Sequence, residues 1–188
     1  MHYILASASP IRQELLTKIV ENFEVVVSDF DEDSINFNGD VEEYVKTLAK
    51  GKAQNVASKA NKDSIIIAAD TIVVIDGKIL GKPQNENDAY NMLKLLSNKV
   101  HRVYSGIAVI NTANDVMKNE TIFTEVKFSE LTHEEIVNYI NSKEPLDKAG
   151  AYGIQGLGAL FVEKINGCYY NVVGLPLNLL NKIMKEII

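Results

Sequence analysis

The stretch Ser64-Ile65-Ile66-Ile67-Ala68-Ala69-Asp70-Thr71 decides the fold. Its apolar run shows no polar alternation, which marks a strand buried on both faces, as in a sheet with helices on either side. The run breaks at Asp70-Thr71, so the strand is expected to end there. Immediately downstream, Ile72 to Leu80 turns over at Asp76-Gly77, a hairpin signal, and leads into Gly81-Lys82-Pro83. Immediately upstream, a helix is predicted from about Val41 to Lys59, with Asp40 as its cap and Glu43 three residues on. Its apolar stripe is Val41, Val45, Leu48 and Val56, and Lys52 falls on that same stripe.

Working outward, Tyr3-Ile4-Leu5-Ala6 reads as a strand, Ser7-Ala8-Ser9-Pro10 as a loop, and Ile11 to Val20 as a helix that Ser9 caps. Ser7, Ser9 and Arg12 thereby surround the free N–H groups of a helix start, a place that favours an anion. Phe23 to Val27 gives a second strand, followed by the acidic loop Asp29-Phe30-Asp31-Glu32-Asp33. A helix from about Glu86 to Ser97 and two long β segments, Val100 to Asn111 and Met117 to Phe128, come next, with a turn at Asn114-Asp115. Thr132 and Glu135 form a capping box, and the glycine-rich stretch Ala149 to Gly158 can approach a ligand closely. A hairpin around Asn166-Gly167 and a helix from about Pro176 finish the pattern. The fold class is α/β: a mixed sheet flanked by helices, in one domain over residues 1–188.

The 188 residues carry 19 basic and 25 acidic side chains, a net charge of −6 that is unsuited to gripping a nucleic-acid polymer. No apolar run approaches a membrane span, and the start of the chain does not read as a signal peptide. The single Cys168 excludes an internal disulfide and a cysteine metal cluster, and the expected location is cytoplasmic. There is no GxxxxGK[ST] loop, no HExxH and no GxSxG, and His2, His101 and His133 are scattered.

What remains is charge in places that folding alone does not favour. Asp70 ends an apolar strand, at an edge where α/β sheets place ligands. Lys52 on a core stripe must snorkel outward or meet an anion. Arg12 sits in a first helical turn, where the macrodipole disfavours a cation, and Lys82 follows a hairpin. Glu32 belongs to a run with Asp31 and Asp33, any of which can face a metal. Carboxylates for a hard divalent ion, two lysines and an arginine for phosphates, and a serine-bearing helix start together suit phosphoryl chemistry.

The motifs Leu5-Ala6-Ser7-Ala8-Ser9-Pro10-Ile11-Arg12-Gln13-Glu14-Leu15-Leu16, Ala69-Asp70-Thr71, Gly81-Lys82-Pro83, Asp147-Lys148-Ala149-Gly150-Ala151-Tyr152-Gly153-Ile154-Gln155-Gly156 and Val173-Gly174-Leu175-Pro176 resemble the Maf-type nucleotide pyrophosphatases, also called septum formation proteins. The resemblance runs from Ile4 to Pro176. It implies an elongated mixed sheet of the inosine-triphosphatase-like kind, two lobes around a central cleft, and hydrolysis of a nucleoside triphosphate to monophosphate and pyrophosphate. It further implies Asp70 as catalytic base and Lys52, Lys82 and Glu32 as catalytic partners. A Mg²⁺ or Mn²⁺ ion would be held by Glu32 and Asp70. Substrate contacts are implied at Ser7, Ile11, Arg12, Thr71, Asp147, Lys148 and Gln155. The form of the fourth motif resembles the dTTP and UTP branch, with Thr71 and Gln155 at positions tied to base choice. Ile11 stands where the family usually has an arginine, and an isoleucine donates no hydrogen bond. A homodimer is also implied. The alternatives are a non-catalytic nucleotide-binding regulator of cell division, a metal-dependent phosphatase releasing orthophosphate, and a pyrophosphatase acting on 7-methyl-GTP.

Overall fold

The apolar run at Ser64 does not stop at Asp70. In the computed structural model, which describes residues 1–188, a single strand β3 covers Ser64–Ile75, and Asp70 lies in its interior at 7% exposure. A carboxylate can interrupt such a strand only where it finds a cation, and the lysine that supplies one is described below. Strands β1 (His2–Leu5) and β2 (Glu24–Val25) precede it, separated by helix α1 (Pro10–Leu16), and helix α2 (Val41–Ala57) leads into it. After it come β4 (Lys78–Leu80), α3 (Glu86–Leu96), β5 (Val100–Asn111), β6 (Val116–Phe128), α4 (His133–Asn141), β7 (Val162–Asn166), α5 (Tyr169–Val173) and α6 (Leu177–Ile187).

The seven strands form one mixed sheet in the order β2-β1-β3-β5-β6-β7, with β4 beside β3. β1 runs parallel to β3, with Tyr3 opposite Ile65 and Leu5 opposite Ile67, whereas β3 and β4 form the expected antiparallel hairpin. The helix starts read from sequence are present in side-chain detail. Ser9 Oγ accepts from Arg12 N, Asp40 Oδ1 accepts from Glu43 N at 3.0 Å, and Thr132 and Glu135 complete their capping box.

The chain comprises two compact units. The first contains Met1–Asp70, Ser105–Ile122 and Gly174–Ile188. Its core joins β1, β3 and β5 to α2 through Ile4, Ala6, Ala49, Ala53, Val56, Ile66, Ala68, Ala108 and Ile110. So many alanines let the helix lie close to the sheet. At Gly106 a β-carbon would stand 2.2 Å from the carbonyl oxygen of Val45 in α2, so only glycine admits this packing. The second unit contains Thr71–Tyr104 and Phe123–Val173, and packs α3 and α4 around Leu93, Leu96, Val103, Phe128, Ile136, Tyr152 and Phe161.

The segment at Asn166-Gly167 departs from the expected hairpin. β7 pairs with β6 and then stops, and the chain enters α5 instead of a returning strand. Thr124 of β6 holds the chain there: its hydroxyl accepts from Cys168 N and donates to Cys168 O, both at 3.0 Å, and also receives Asn171 Nδ2. No helix is long and apolar enough to cross a membrane.

Candidate functional site

The loop after β1 is shaped by its serines. Ser7 Oγ accepts from Ser9 N at 3.2 Å, and Pro10 occupies the first helical position of α1. This turn aims Arg12 inward. Its Nε donates to Gly174 O at 2.9 Å and its Nη1 donates to Ala69 O at 2.8 Å, with Ser7 Oγ within 3.5 Å of the same nitrogen. One guanidinium thus joins three of the sequence motifs, Ser7 to Arg12, Ala69-Asp70 and Gly174. Burial pulls the pKa of Arg12 below its ordinary value, and the charges of Asp70 and Glu32 oppose that pull.

Asp70 and Glu32 converge on one ammonium group. Lys52 Nζ lies 2.6 Å from Asp70 Oδ1 and 3.0 Å from Glu32 Oε2. The Lys52 side chain is 13% exposed, so the residue does not snorkel: its stem crosses the buried stripe of α2 and its charge is met inside the unit. Asp31, Glu32 and Asp33 are all exposed, and Glu32 is the member that reaches Lys52. The loop is seated by Phe30, whose ring rests on Gly51, the residue before Lys52. A β-carbon there would meet the ring at 2.3 Å.

Tyr44, eight residues before Lys52 on α2, escaped the sequence reading. Its pKa is raised by burial and then by the charges of Asp70, Glu32 and Asp33, with Lys52 opposing, which places the phenol in the field of the acidic group. The signal was available as a helical spacing of two turns from Lys52.

The other residues of interest belong to the second unit. Thr71 directly follows Asp70 in β3 and is half-buried. Lys82 is exposed on the loop after β4, which is tied to the fourth motif by Gly150 N donating to Gly81 O at 3.0 Å. Asp147 and Lys148 pair with each other at 2.7 Å, and Gln155 is exposed. Ile11 is half-buried on α1 in the first unit. His101 and His133 hydrogen-bond to Tyr152 and Tyr90 respectively and take no part in either group.

The glycines of the stretch from Ala149 to Gly158 make room for the protein's own side chains. A β-carbon on Gly156 would stand 2.4 Å from both carboxylate oxygens of Glu144, and one on Gly158 would stand 2.8 Å from the Tyr139 hydroxyl. Glu144 is invisible in the sequence because its partners are 13 and 14 residues away.

No cluster of three or more His, Cys, Asp or Glu side chains is arranged to hold a metal by itself. Glu32 and Asp70 instead offer two hard oxygen donors converging on one cationic centre. Hard carboxylate oxygens are the donors that Mg²⁺ and Mn²⁺ take, and here both turn to the Lys52 ammonium.

Fold and site together define an α/β protein whose sheet carries a carboxylate, lysine and arginine centre suited to polyanion chemistry. The chain belongs to the Maf family: the family model described as Maf-like protein matches residues 2–187. It is 60% identical over 186 residues to a protein of Clostridium novyi (strain NT) named dTTP/UTP pyrophosphatase, covering 99% of this chain and 97% of that one. A protein of the same name from Clostridium beijerinckii is 57% identical over 187 residues, with full coverage of both chains. Among solved structures, the Staphylococcus aureus Ham1 protein superposes with a TM-score of 0.56 at 16% identity, covering 99% of each chain, which shows a shared fold.

Proposed function

We propose that this protein hydrolyses dTTP and UTP to the monophosphate and pyrophosphate with the help of a divalent metal ion. The observation that carries the reading is the Asp70–Lys52–Glu32 group beside Arg12, in a chain whose relatives bear the name dTTP/UTP pyrophosphatase. A water oxygen attacks the α-phosphorus, the bond from that phosphorus to the bridging oxygen breaks, and pyrophosphate leaves. Asp70 accepts the proton of the attacking water. It is suited to this because β3 and the bond from Lys52 Nζ to its Oδ1 at 2.6 Å hold it in place. Lys52, Lys82 and Arg12 offset the charge that grows on the leaving group. Glu32 and Asp70 would hold the divalent metal, which would supply Lewis-acid polarisation of the phosphate when bound.

Base choice is assigned to Gln155 and Thr71. A primary amide offers one acceptor and two donors, which complements the alternating carbonyl and N–H groups on the imide edge of thymine and uracil. A site built around such bonds discriminates strongly against a base that cannot return them.

The test is product analysis with dTTP, UTP, CTP, 7-methyl-GTP and ITP, with Mg²⁺ or Mn²⁺ and with chelator. Metal-dependent pyrophosphate from dTTP and UTP is expected. Orthophosphate as product, or no release from any nucleotide, overturns the reading. Asp70→Asn is expected to lose about 10²-fold to 10⁴-fold in kcat, the usual contribution of a general base, while nucleotide binding is retained.

A further inference from the structure

The loop carrying Gln155 is fastened at both ends to a single carboxylate and phenol pair. Glu144 Oε2 accepts from Leu157 N at 2.8 Å, and Oε1 accepts from Gly158 N at 3.3 Å and from the Tyr139 hydroxyl at 2.8 Å. The Tyr139 oxygen in turn accepts from Gly153 N at 3.1 Å. The loop therefore enters at Gly153 and leaves at Leu157-Gly158 under the control of the same two side chains, and Gly156 N closes it on Gly153 O at 3.3 Å.

Each part has a physical reason. The N–H groups of Leu157 and Gly158 open a 3-10 turn over Leu157–Phe161, where they have no partner within the turn, and a carboxylate satisfies such donors well. Tyr139 is held by α4 and by an edge-on contact with Phe161 at 5.0 Å, so its hydroxyl is a fixed post. Ser142 Oγ accepts from Glu144 N, which sets the carboxylate's own backbone. Gly153, Gly156 and Gly158 lack the β-carbons that would collide with Lys148, Glu144 and Tyr139. The loop itself gives two N–H groups to this carboxylate and a third to the tyrosine hydroxyl bonded to it. The Gln155 side chain between the anchor points is exposed and makes no hydrogen bond within the chain, so its backbone is set while its amide is left for another molecule.

We infer that Glu144, supported by Tyr139, is a positioning residue for substrate selectivity: it fixes the loop at residues 153–158 so that the Gln155 amide is presented to the base. This rests on the role of Gln155 proposed above.

The experiment compares wild type with Glu144→Gln, Tyr139→Phe, Gln155→Ala and the Glu144→Gln/Gln155→Ala double variant. Readouts are amide hydrogen exchange at Gly153, Leu157 and Gly158, kcat/KM and dissociation constants for dTTP against dCTP, and the melting temperature. Tyr139→Phe keeps the packing on Phe161 and removes only the hydroxyl, so it tests the anchor even where Glu144→Gln folds poorly. Both anchor variants are expected to speed exchange at those amides about tenfold or more, the loss of one bond to a charged group. They should also lower the dTTP to dCTP ratio by a similar factor, mainly through KM, and the double variant should fall no further than Gln155→Ala alone. Unchanged exchange in both anchor variants overturns the inference whatever the activity. Faster exchange with an intact ratio also overturns it, leaving the pair a structural staple. A ratio untouched by Gln155→Ala refutes the role of Gln155 in base choice; the anchor is then judged on its own exchange and ratio.

Discussion

Replacing Gly51 with alanine sets a gain in the helix against a loss at the site. An alanine in a helix interior is worth about 1 kcal/mol over glycine, so on propensity alone Gly51→Ala stabilises α2. The new β-carbon, however, would stand 2.3 Å from Phe30 Cζ and 2.6 Å from both Cε atoms. Carbon atoms pack best at about 3.5–4 Å, so the ring must withdraw by about 1 Å or more. Phe30 is only half-buried, and its retreat forfeits about half of the ~1.5–3 kcal/mol that full burial of a phenylalanine is worth. The two effects offset to within about 1 kcal/mol, a melting shift of no more than about 4 °C for a chain of this size. Function responds differently, because Glu32 is two residues from Phe30 and contacts Lys52 at 3.0 Å. A displacement of about 1 Å in a positioned group can cost up to about a hundredfold, so kcat/KM for dTTP should fall between about tenfold and about a hundredfold. Pyrophosphate release and a thermal melt read the two effects separately. Adding Phe30→Ala removes the collision, so the double variant should show clear non-additivity. Wild-type turnover by Gly51→Ala refutes the claim that the ring on Gly51 places Glu32.

Gly106→Ala is expected to be far more damaging, since its β-carbon would meet backbone atoms, Val45 O at 2.2 Å and Lys46 N at 2.9 Å, which no rotamer change can move. A loss of about 3 kcal/mol should appear as a lower urea midpoint. His101 makes stability depend on pH: burial lowers its pKa from 6.5 to about 4, and as an imidazolium it would carry two N–H donors with only the Tyr152 oxygen as partner. Below about pH 6.5 the unfolded chain takes up a proton that the folded chain refuses, so stability falls as pH drops from 6.5 towards 4, by up to roughly 3 kcal/mol. Chemical denaturation across that range should show a steeper slope in wild type than in His101→Asn, which keeps an amide for Tyr152.

Much of this was legible because it is local. Ser9, Asp40 and the Thr132/Glu135 box announce helix starts through bonds that span three residues, and the Asp76-Gly77 turn needs only its immediate neighbours. Lys52 and Asp70 were legible as conflicts, charges at positions whose pattern demanded apolar side chains, and the structure resolves each conflict with the other. The errors came where a distant partner decides the outcome. Asp70 was read as the end of a strand because its cation comes from another element. Asn166-Gly167 was read as a hairpin because Thr124, which holds the chain there, lies more than forty residues earlier. The glycines of the fourth motif pointed to a close approach, and nothing in their spacing said that the approaching group is Glu144.

The bond from Arg12 Nε to Gly174 O joins residues 162 positions apart. Gly174 opens the last segment of the first unit, the segment that ends in α6, where Ile187 O receives the Asn111 side chain. During synthesis the strands, α2 and the Asp70–Lys52 pair are all present well before that segment emerges, whereas the second unit can close earlier because its chain is complete at Val173. Arg12 Nε therefore finds its acceptor only after the residues of the second unit have been made, whereas Nη1 has Ala69 O much sooner. A chain interrupted before residue 174 would hold every residue of the second unit and both members of the Asp70–Lys52 pair, yet would lack the carbonyl that receives Arg12 Nε.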